Sequence, residues 1–171
     1  TYGYSTIAPA IFDYVEPGVE LEYDEAGIKR GLQLATQVGF DRAVQAVDAA
    51  ATRLRETLGS VGVVGYCWGG TVAFLSNTRL GLSAVSYYGG RTASFLTERP
   101  MAPLLMHFGA KDPHIRPETV KAHRDALPEA TIHLYEAGHG FNCDERSDYN
   151  AAAAKLALQR SVEFLQTVLT S

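Results

Sequence analysis

From Val61 onward the chain alternates short apolar runs with helix-length amphipathic stretches, and this alternation constrains its fold more than any other feature. Val61 to Tyr66 is a β-branched run without polar alternation, as suits a strand buried on both faces of a parallel sheet. Gly69 to about Arg79 reads as the helix that covers it, and Leu82 to Tyr88 as the next strand, broken by Gly89-Gly90. Pro103 to Phe108 and Thr131 to Tyr135 are predicted strands separated by a helix from about Arg116 to Ala126. A closing helix is marked by Ala151 to Ala154, Leu156, Leu158, Val162, Leu165 and Leu169, which are strong helix formers with an apolar face. The order βαβαβαβα predicts an α/β fold with a mostly parallel sheet flanked by helices on both faces. Parallel neighbours need crossover connections, and those are usually helical.

Upstream, Val44, Val47, Ala51, Leu54 and Leu58 recur at steps of three and four, which predicts a helix from about Asp41 to Leu58, ended by Gly59. A further helix from about Gly27 to Val38, a loop over Pro17 to Asp24, and a short strand from Ser5 to Ala8 running into Pro9 complete the reading. The 171 residues suffice for one domain with a shared core, and no linker or internal repeat divides them. A formal net charge of -4 leaves no clustered basic surface for nucleic acid. No apolar stretch is long enough for a membrane span, and no signal-peptide pattern opens the chain, so a cytoplasmic location is the expectation. The two cysteines, Cys67 and Cys143, are expected to be free thiols rather than part of a disulfide framework.

The chemistry concentrates at Gly65-Tyr66-Cys67-Trp68-Gly69, a G-x-C-x-G pentapeptide between a predicted strand and a predicted helix. A nucleophile on such a sharp turn sits in strained backbone, and glycines two before and two after it are expected to remove colliding side chains. The turn lifts the thiol clear of the sheet and aims the first helical N–H groups, including that of Trp68, at the space a substrate carbonyl would fill. The positive helix end also favours thiolate. His139, between Gly138 and Gly140 after a predicted strand, fits the general base, and Asp112, after the preceding strand, fits the carboxylate that orients it. The chain order nucleophile, acid, histidine is that of α/β-hydrolases and not of chymotrypsin-like or subtilisin-like proteases.

Plainer readings compete. A free cysteine is most often a buried structural thiol, and Asp112 before Pro113 is also an ordinary turn-forming pair. His107, His114, His123 and His133 lack metal-ligand spacing and read as strand or surface residues. Cys143 reads as a loop thiol, and a zinc site from Cys67, Cys143 and a histidine has long, irregular spacing against it. Trp68, Tyr87 and Tyr88 stand near strand ends, where a pocket would open. The acidic group Glu16, Glu20, Glu22, Asp24 and Glu25 reads as a solvated loop face.

Three separated runs, GVVGYCWGGTVAFL from Gly62 to Leu75, LLMHFGAKDPHI from Leu104 to Ile115 and YEAGHGFNCDER from Tyr135 to Arg146, resemble the dienelactone hydrolase family in register, and the resemblance extends over about Ile7 to Leu169. It implies an α/β-hydrolase fold with Cys67, Asp112 and His139 as the triad, an acyl-thiol intermediate, small lactone or ester substrates, and neither a metal nor an organic cofactor. Family members are typically longer at the N-terminus, where early strands carry a thiol-activating glutamate and a second oxyanion donor. Neither is assignable here, and since Thr1 begins without an initiator Met, an incomplete sequence is expected. Dienelactone hydrolases proper also hold their substrate with arginines at two places that here read Ile11-Phe12-Asp13-Tyr14 and Phe141-Asn142-Cys143. Arg91 and Arg146 are the nearest arginines to be considered, while Tyr14 and Tyr88 are the candidate pocket residues. The rival readings are a non-catalytic binding protein on the same fold, marked by an inert thiol, and a serine-type esterase relative, marked by a more active Cys67→Ser variant.

Overall fold

A computed structural model describes residues 2–170. The chain divides into two compact units, Thr1–Gly59 and Ser60–Ser171.

The first unit holds a short 3-10 helix, Ile11–Tyr14, and the long helix α1, Glu25–Leu58. Asp24 caps α1 by accepting a hydrogen bond from the Gly27 N–H at 2.7 Å, so the helix starts earlier than its apolar spacing predicts. Gly39, at φ 71° and ψ 169°, interrupts it in a backbone conformation that glycine adopts most readily. The two predicted helices are therefore the two stretches of α1 on either side of that break. Leu34, Ala35, Val38, Ala43, Val44, Val47 and Ala51 are buried, and Arg30 forms an exposed ion pair with Glu16. Ser5 to Ala8 forms no strand. Those residues are exposed and have no ladder neighbour among the described residues, and a strand persists only through such pairing.

The second unit is built from β1 (Gly62–Tyr66), α2 (Trp68–Leu80), β2 (Ser83–Tyr87), a 3-10 helix (Gly90–Phe95), β3 (Leu104–Gly109), α3 (Pro117–Ala126), β4 (Thr131–Tyr135) and α4 (Ala151–Leu169). The sheet order is β1-β2-β3-β4, and every neighbouring pair is parallel. The register places Tyr66, Tyr87, His107 and His133 in one row across all four strands. Side chains in this row face α4: the Tyr87 hydroxyl reaches Ser161 Oγ at 2.7 Å, and a Cβ on Gly62, on the same face of β1, would meet Leu165. Residues of opposite parity face α2, where Gly65 lies against the Gly69 carbonyl and Ser86 Oγ lies beside Gly70. The sheet is thus covered on both faces, as two-residue alternation along a strand requires.

β2 and β3 are buried almost throughout, with Val85, Met106 and Phe108 fully enclosed. β1 departs from the expectation of a strand buried on both faces, because Val64 and Tyr66 are 41% and 47% exposed. The strand order explains this: among the described residues β1 lies at the edge of the sheet, with a ladder neighbour on one side only. Gly81, in the left-handed conformation at φ 66°, ends α2, and Pro117 opens α3 at a position where its missing N–H costs nothing.

Candidate active site

Cys67 is the single residue between β1 and α2, and its backbone lies at φ 53° and ψ -117°. Among the described residues only it and Tyr88, at φ 40°, are non-glycine residues with positive φ. The strain is held from both sides. Cys67 N–H donates to the Tyr87 carbonyl at 3.0 Å, and the Cys67 carbonyl accepts from Gly70 N–H at 3.0 Å as α2 begins. The glycines matter unequally. A Cβ at Gly65 would lie 1.9 Å from the Gly69 carbonyl oxygen, and one at Gly70 would lie 2.5 Å from the Tyr87 carbonyl oxygen. A Cβ at Gly69 would meet nothing within 4 Å, so the crowding predicted for Gly69 falls on Gly70 instead.

The sheet edge brings Cys67, His139 and Asp112 together. His139 Nε2 lies 3.2 Å from Cys67 Sγ, and its Nδ1 lies 2.7 Å from Asp112 Oδ2. A carboxylate only accepts, so Nδ1 carries the proton and Nε2 is left to face the thiol. The other Asp112 oxygen, Oδ1, accepts from His114 N–H at 2.7 Å and Ile115 N–H at 3.2 Å. The turn role and the histidine-orienting role therefore coexist on one side chain, one oxygen each. Asp112 and His139 are 5% and 7% exposed, while Cys67 is half-buried and reachable.

The electrostatics follow from this chain of contacts. Burial pushes the Cys67 thiol up, but the His139 hydrogen bond and charge, the Trp68 backbone N–H and the Arg146 charge outweigh it and hold the thiol below its ordinary value. Burial lowers His139, yet Asp112 and Cys67 together raise it from 6.5 to about 9. Burial also opposes ionisation of Asp112, but His139 and the two turn N–H groups hold its carboxyl below the usual range. All three shifts favour thiolate, imidazolium and carboxylate.

Trp68, Tyr88, His114 and Arg146 stand next to this trio. Trp68 directs its N–H at Cys67 Sγ. The Tyr88 ring centroid is 5.2 Å from that of His139, and the His114 ring meets His139 edge-on at 5.2 Å. Arg146 lies along Gly140, where a Cβ would come within 3.0 Å of its Cδ and Nε, whereas Arg91 is exposed on the 3-10 helix after β2. Tyr14 ends the 3-10 helix of the first unit, 48% exposed.

Behind the histidine loop lies a buried polar network that sequence reasoning missed. Ser161 Oγ donates to the Ala157 carbonyl, so it accepts from the Tyr87 hydroxyl and from His107 Nε2 at 3.0 Å. His107 Nδ1 then accepts from the Tyr135 hydroxyl at 2.8 Å. Burial, aided by His133 and Arg160, pushes His107 down to about 3, so it is a neutral core residue. Tyr87, Tyr88 and Tyr135 surround Phe141, which is fully buried two residues after His139 and anchors that loop. The signal was present as tyrosines and a histidine at alternate strand positions, but their partner Ser161 is remote in sequence. His123 departs from the strand-or-surface reading: it is buried in α3 and bonded to Thr92 at 2.5 Å and to the Thr119 carbonyl at 2.7 Å.

A cavity of about 280 Å³ opens elsewhere in the same unit, lined by Leu105, Thr131, His133, Arg160, Phe164 and Val168, and includes none of the trio. Among the described residues no group of three or more His, Cys, Asp or Glu is placed to hold a metal ion, and no helix is long and apolar enough to cross a membrane.

Solved structures with the same arrangement of parallel strands and helices place the chain in the α/β-hydrolase class. A protein of Klebsiella pneumoniae subsp. pneumoniae MGH 78578 assigned to the dienelactone hydrolases superposes with a TM-score of 0.74 at 27% identity, covering 85% of this chain and 68% of its own. A dienelactone hydrolase-like promiscuous phosphotriesterase from metagenomic libraries shares the fold, with a TM-score of 0.68 at 23% identity over 85% of this chain and 69% of its own. The chain belongs to the dienelactone hydrolase family, whose model matches residues 1–169. Carboxymethylenebutenolidase of Pseudomonas putida is 33% identical over 95% of this chain and 74% of its own length. The protein is accordingly a hydrolase of the dienelactone hydrolase type.

Proposed function

We propose that the protein hydrolyses small lactones or esters with Cys67 as nucleophile, His139 as general base and acid, and Asp112 as the group that orients and charges the imidazole. The observation that carries this reading is the continuous hydrogen-bonded chain from Asp112 Oδ2 through both His139 nitrogens to Cys67 Sγ, at 2.7 and 3.2 Å. The name of the Pseudomonas putida relative, carboxymethylenebutenolidase, supplies the substrate class, since a butenolide is an unsaturated cyclic ester.

The cycle begins with the Cys67 thiolate adding to the carbonyl carbon. A C–S bond forms, and the carbonyl π electrons move onto oxygen. Collapse of this tetrahedral species restores the carbonyl and breaks the C–O bond. The departing alkoxide takes the proton from His139 Nε2, and for a lactone it remains tethered to the acyl group. Neutral His139 then removes a proton from water as the water attacks the thioester. The second collapse releases the carboxylic acid and regenerates the thiolate.

Replacing Cys67 with Ala tests the assignment. Hydrolysis of p-nitrophenyl acetate should fall to the buffer rate while the circular dichroism spectrum is unchanged. Retained turnover in a folded Cys67→Ala protein would defeat the reading.

A further inference from the structure

The two strained residues of this fold are neighbours. Register pairs Tyr66 with Tyr87, so Cys67 and Tyr88 are the first residues beyond adjacent strand ends, and each is pinned by a backbone bond to the next strand. Cys67 N–H donates to Tyr87, and Tyr88 N–H donates to the His107 carbonyl at 2.7 Å. A bulky residue at positive φ costs on the order of 1–3 kcal/mol and persists where the surroundings over-determine it, a condition that clusters at functional sites. Strain at Cys67 is explained by the thiol it presents. Strain at Tyr88 has no such account unless its side chain, too, is being presented.

The side chain fits that view. The Tyr88 ring is wedged between His139 and Phe141, at 5.2 and 5.3 Å, and the residue is 3% exposed. The Tyr87 hydroxyl beside it is bonded to Ser161, and that of Tyr135 to His107. The Tyr88 hydroxyl has no such partner among the described residues. It is also absent from the sealed, unpartnered polar atoms, Thr71 Oγ1, Asn77 Oδ1 and Ser86 Oγ, so it keeps access to solvent. Burial first, then Tyr66, Cys143, Cys67 and Tyr87, raise its ionisation above the ordinary phenol range. The phenol therefore stays protonated and keeps an O–H to donate.

We propose that the Tyr88 hydroxyl is a catalytic group of this site, donating a hydrogen bond to the carbonyl oxygen as thiolate addition turns it into an oxyanion. No proton is transferred. The bond forms as negative charge arrives and weakens as collapse restores the carbonyl, which is how an oxyanion donor lowers a barrier. The role rests on Cys67 being the nucleophile, and the experiment separates the two.

Tyr88→Phe keeps the ring against His139 and Phe141 and removes only the O–H. Acylation by p-nitrophenyl acetate, followed as the pre-steady-state burst, should slow by about 100-fold with KM changed less than about threefold. Alkylation of Cys67 by iodoacetamide, which passes through no oxyanion, should stay within about twofold of the parent protein. Unchanged acylation in Tyr88→Phe overturns the proposal and leaves the Cys67 reading intact. An equal fall in acylation and alkylation also overturns it, because Tyr88 would then act on the thiol. Loss of alkylation at Cys67 in the parent protein would sink the nucleophile itself. Should Tyr88→Phe not fold, 3,5-difluorotyrosine at position 88 preserves the shape but ionises at lower pH. Acylation must then acquire a new alkaline decline as the donor is lost, and a profile without one overturns the proposal equally.

Discussion

Asp112→Asn is the perturbation whose consequence can be worked furthest. In the parent protein Oδ1 is occupied by the His114 and Ile115 N–H groups, and Oδ2 faces His139 Nδ1–H. An asparagine must keep its single oxygen toward the two turn donors, so its NH₂ is turned to His139. Nδ1 then becomes the acceptor and Nε2 carries the proton permanently, which leaves nothing to take the proton of the thiol. The rise of His139 from 6.5 to about 9 corresponds to on the order of 3 kcal/mol in favour of imidazolium, and Asp112 heads the groups that raise it. Losing its charge should forfeit about 2 kcal/mol, a factor of roughly 30 in the thiolate fraction near neutral pH. The assay is the rate of iodoacetamide alkylation against pH. In the parent protein the acid limb should lie below the ordinary thiol range, since His139 stays charged up to about 9 and stabilises the thiolate there. In Asp112→Asn the limb should move up toward the ordinary thiol range, and the two curves should converge once both thiols are ionised at high pH. Superimposable curves would refute the coupling between Asp112 and the thiol.

Other outcomes follow from the same geometry. Gly65→Ala should be severely destabilising, because its Cβ would sit 1.9 Å from a backbone carbonyl, whereas Gly69→Ala, with open space around its Cβ, should be neutral or stabilise by about 0.4–1 kcal/mol; urea unfolding of both variants checks the contrast. Ser161→Ala strips the acceptor from both Tyr87 O–H and His107 Nε2–H in the core. A cost of about 1–3 kcal/mol for each orphaned donor is expected in equilibrium unfolding, and a loss below about 0.5 kcal/mol would show that the network is not bonded in this way.

Local sequence carried most of the βα unit. Elements from Val61 onward are bounded by glycines and prolines, so the predicted and observed strands and helices differ by one residue or so at their ends. The trio was readable because each member follows a strand, and parallel strands deliver the residues after them to one edge. What stayed hidden depends on pairing and packing rather than on local pattern. Ser5 to Ala8 has strand composition, but a strand also needs a neighbour, which composition does not report. The apolar run of β1 looks like a central strand, and only the strand order makes it an edge. Gly69 and Gly70 are indistinguishable in sequence, yet only the second meets the Tyr87 carbonyl, because the strand β2 that carries it arrives from outside the motif. The Tyr87–Ser161–His107 network is invisible for the same reason: its shared oxygen comes from α4.

The placement of Cys67, Tyr88 and His139 is therefore a property of sheet register more than of any loop. The unfavourable backbone angles of Cys67 and Tyr88 are held in place by adjacent strands that end in step, each residue donating its N–H across to the next strand. His139 is set by Phe141, gripped by Tyr87, Tyr88 and Tyr135, and two of these tyrosines are themselves fixed through Ser161 and His107. A slip of one residue between β1 and β2 would exchange the faces of Tyr66 and Gly65, driving a side chain into the Gly69 carbonyl that only glycine clears. The same glycine that permits the turn thus enforces the register, and the register in turn keeps thiol, imidazole and phenol at one edge.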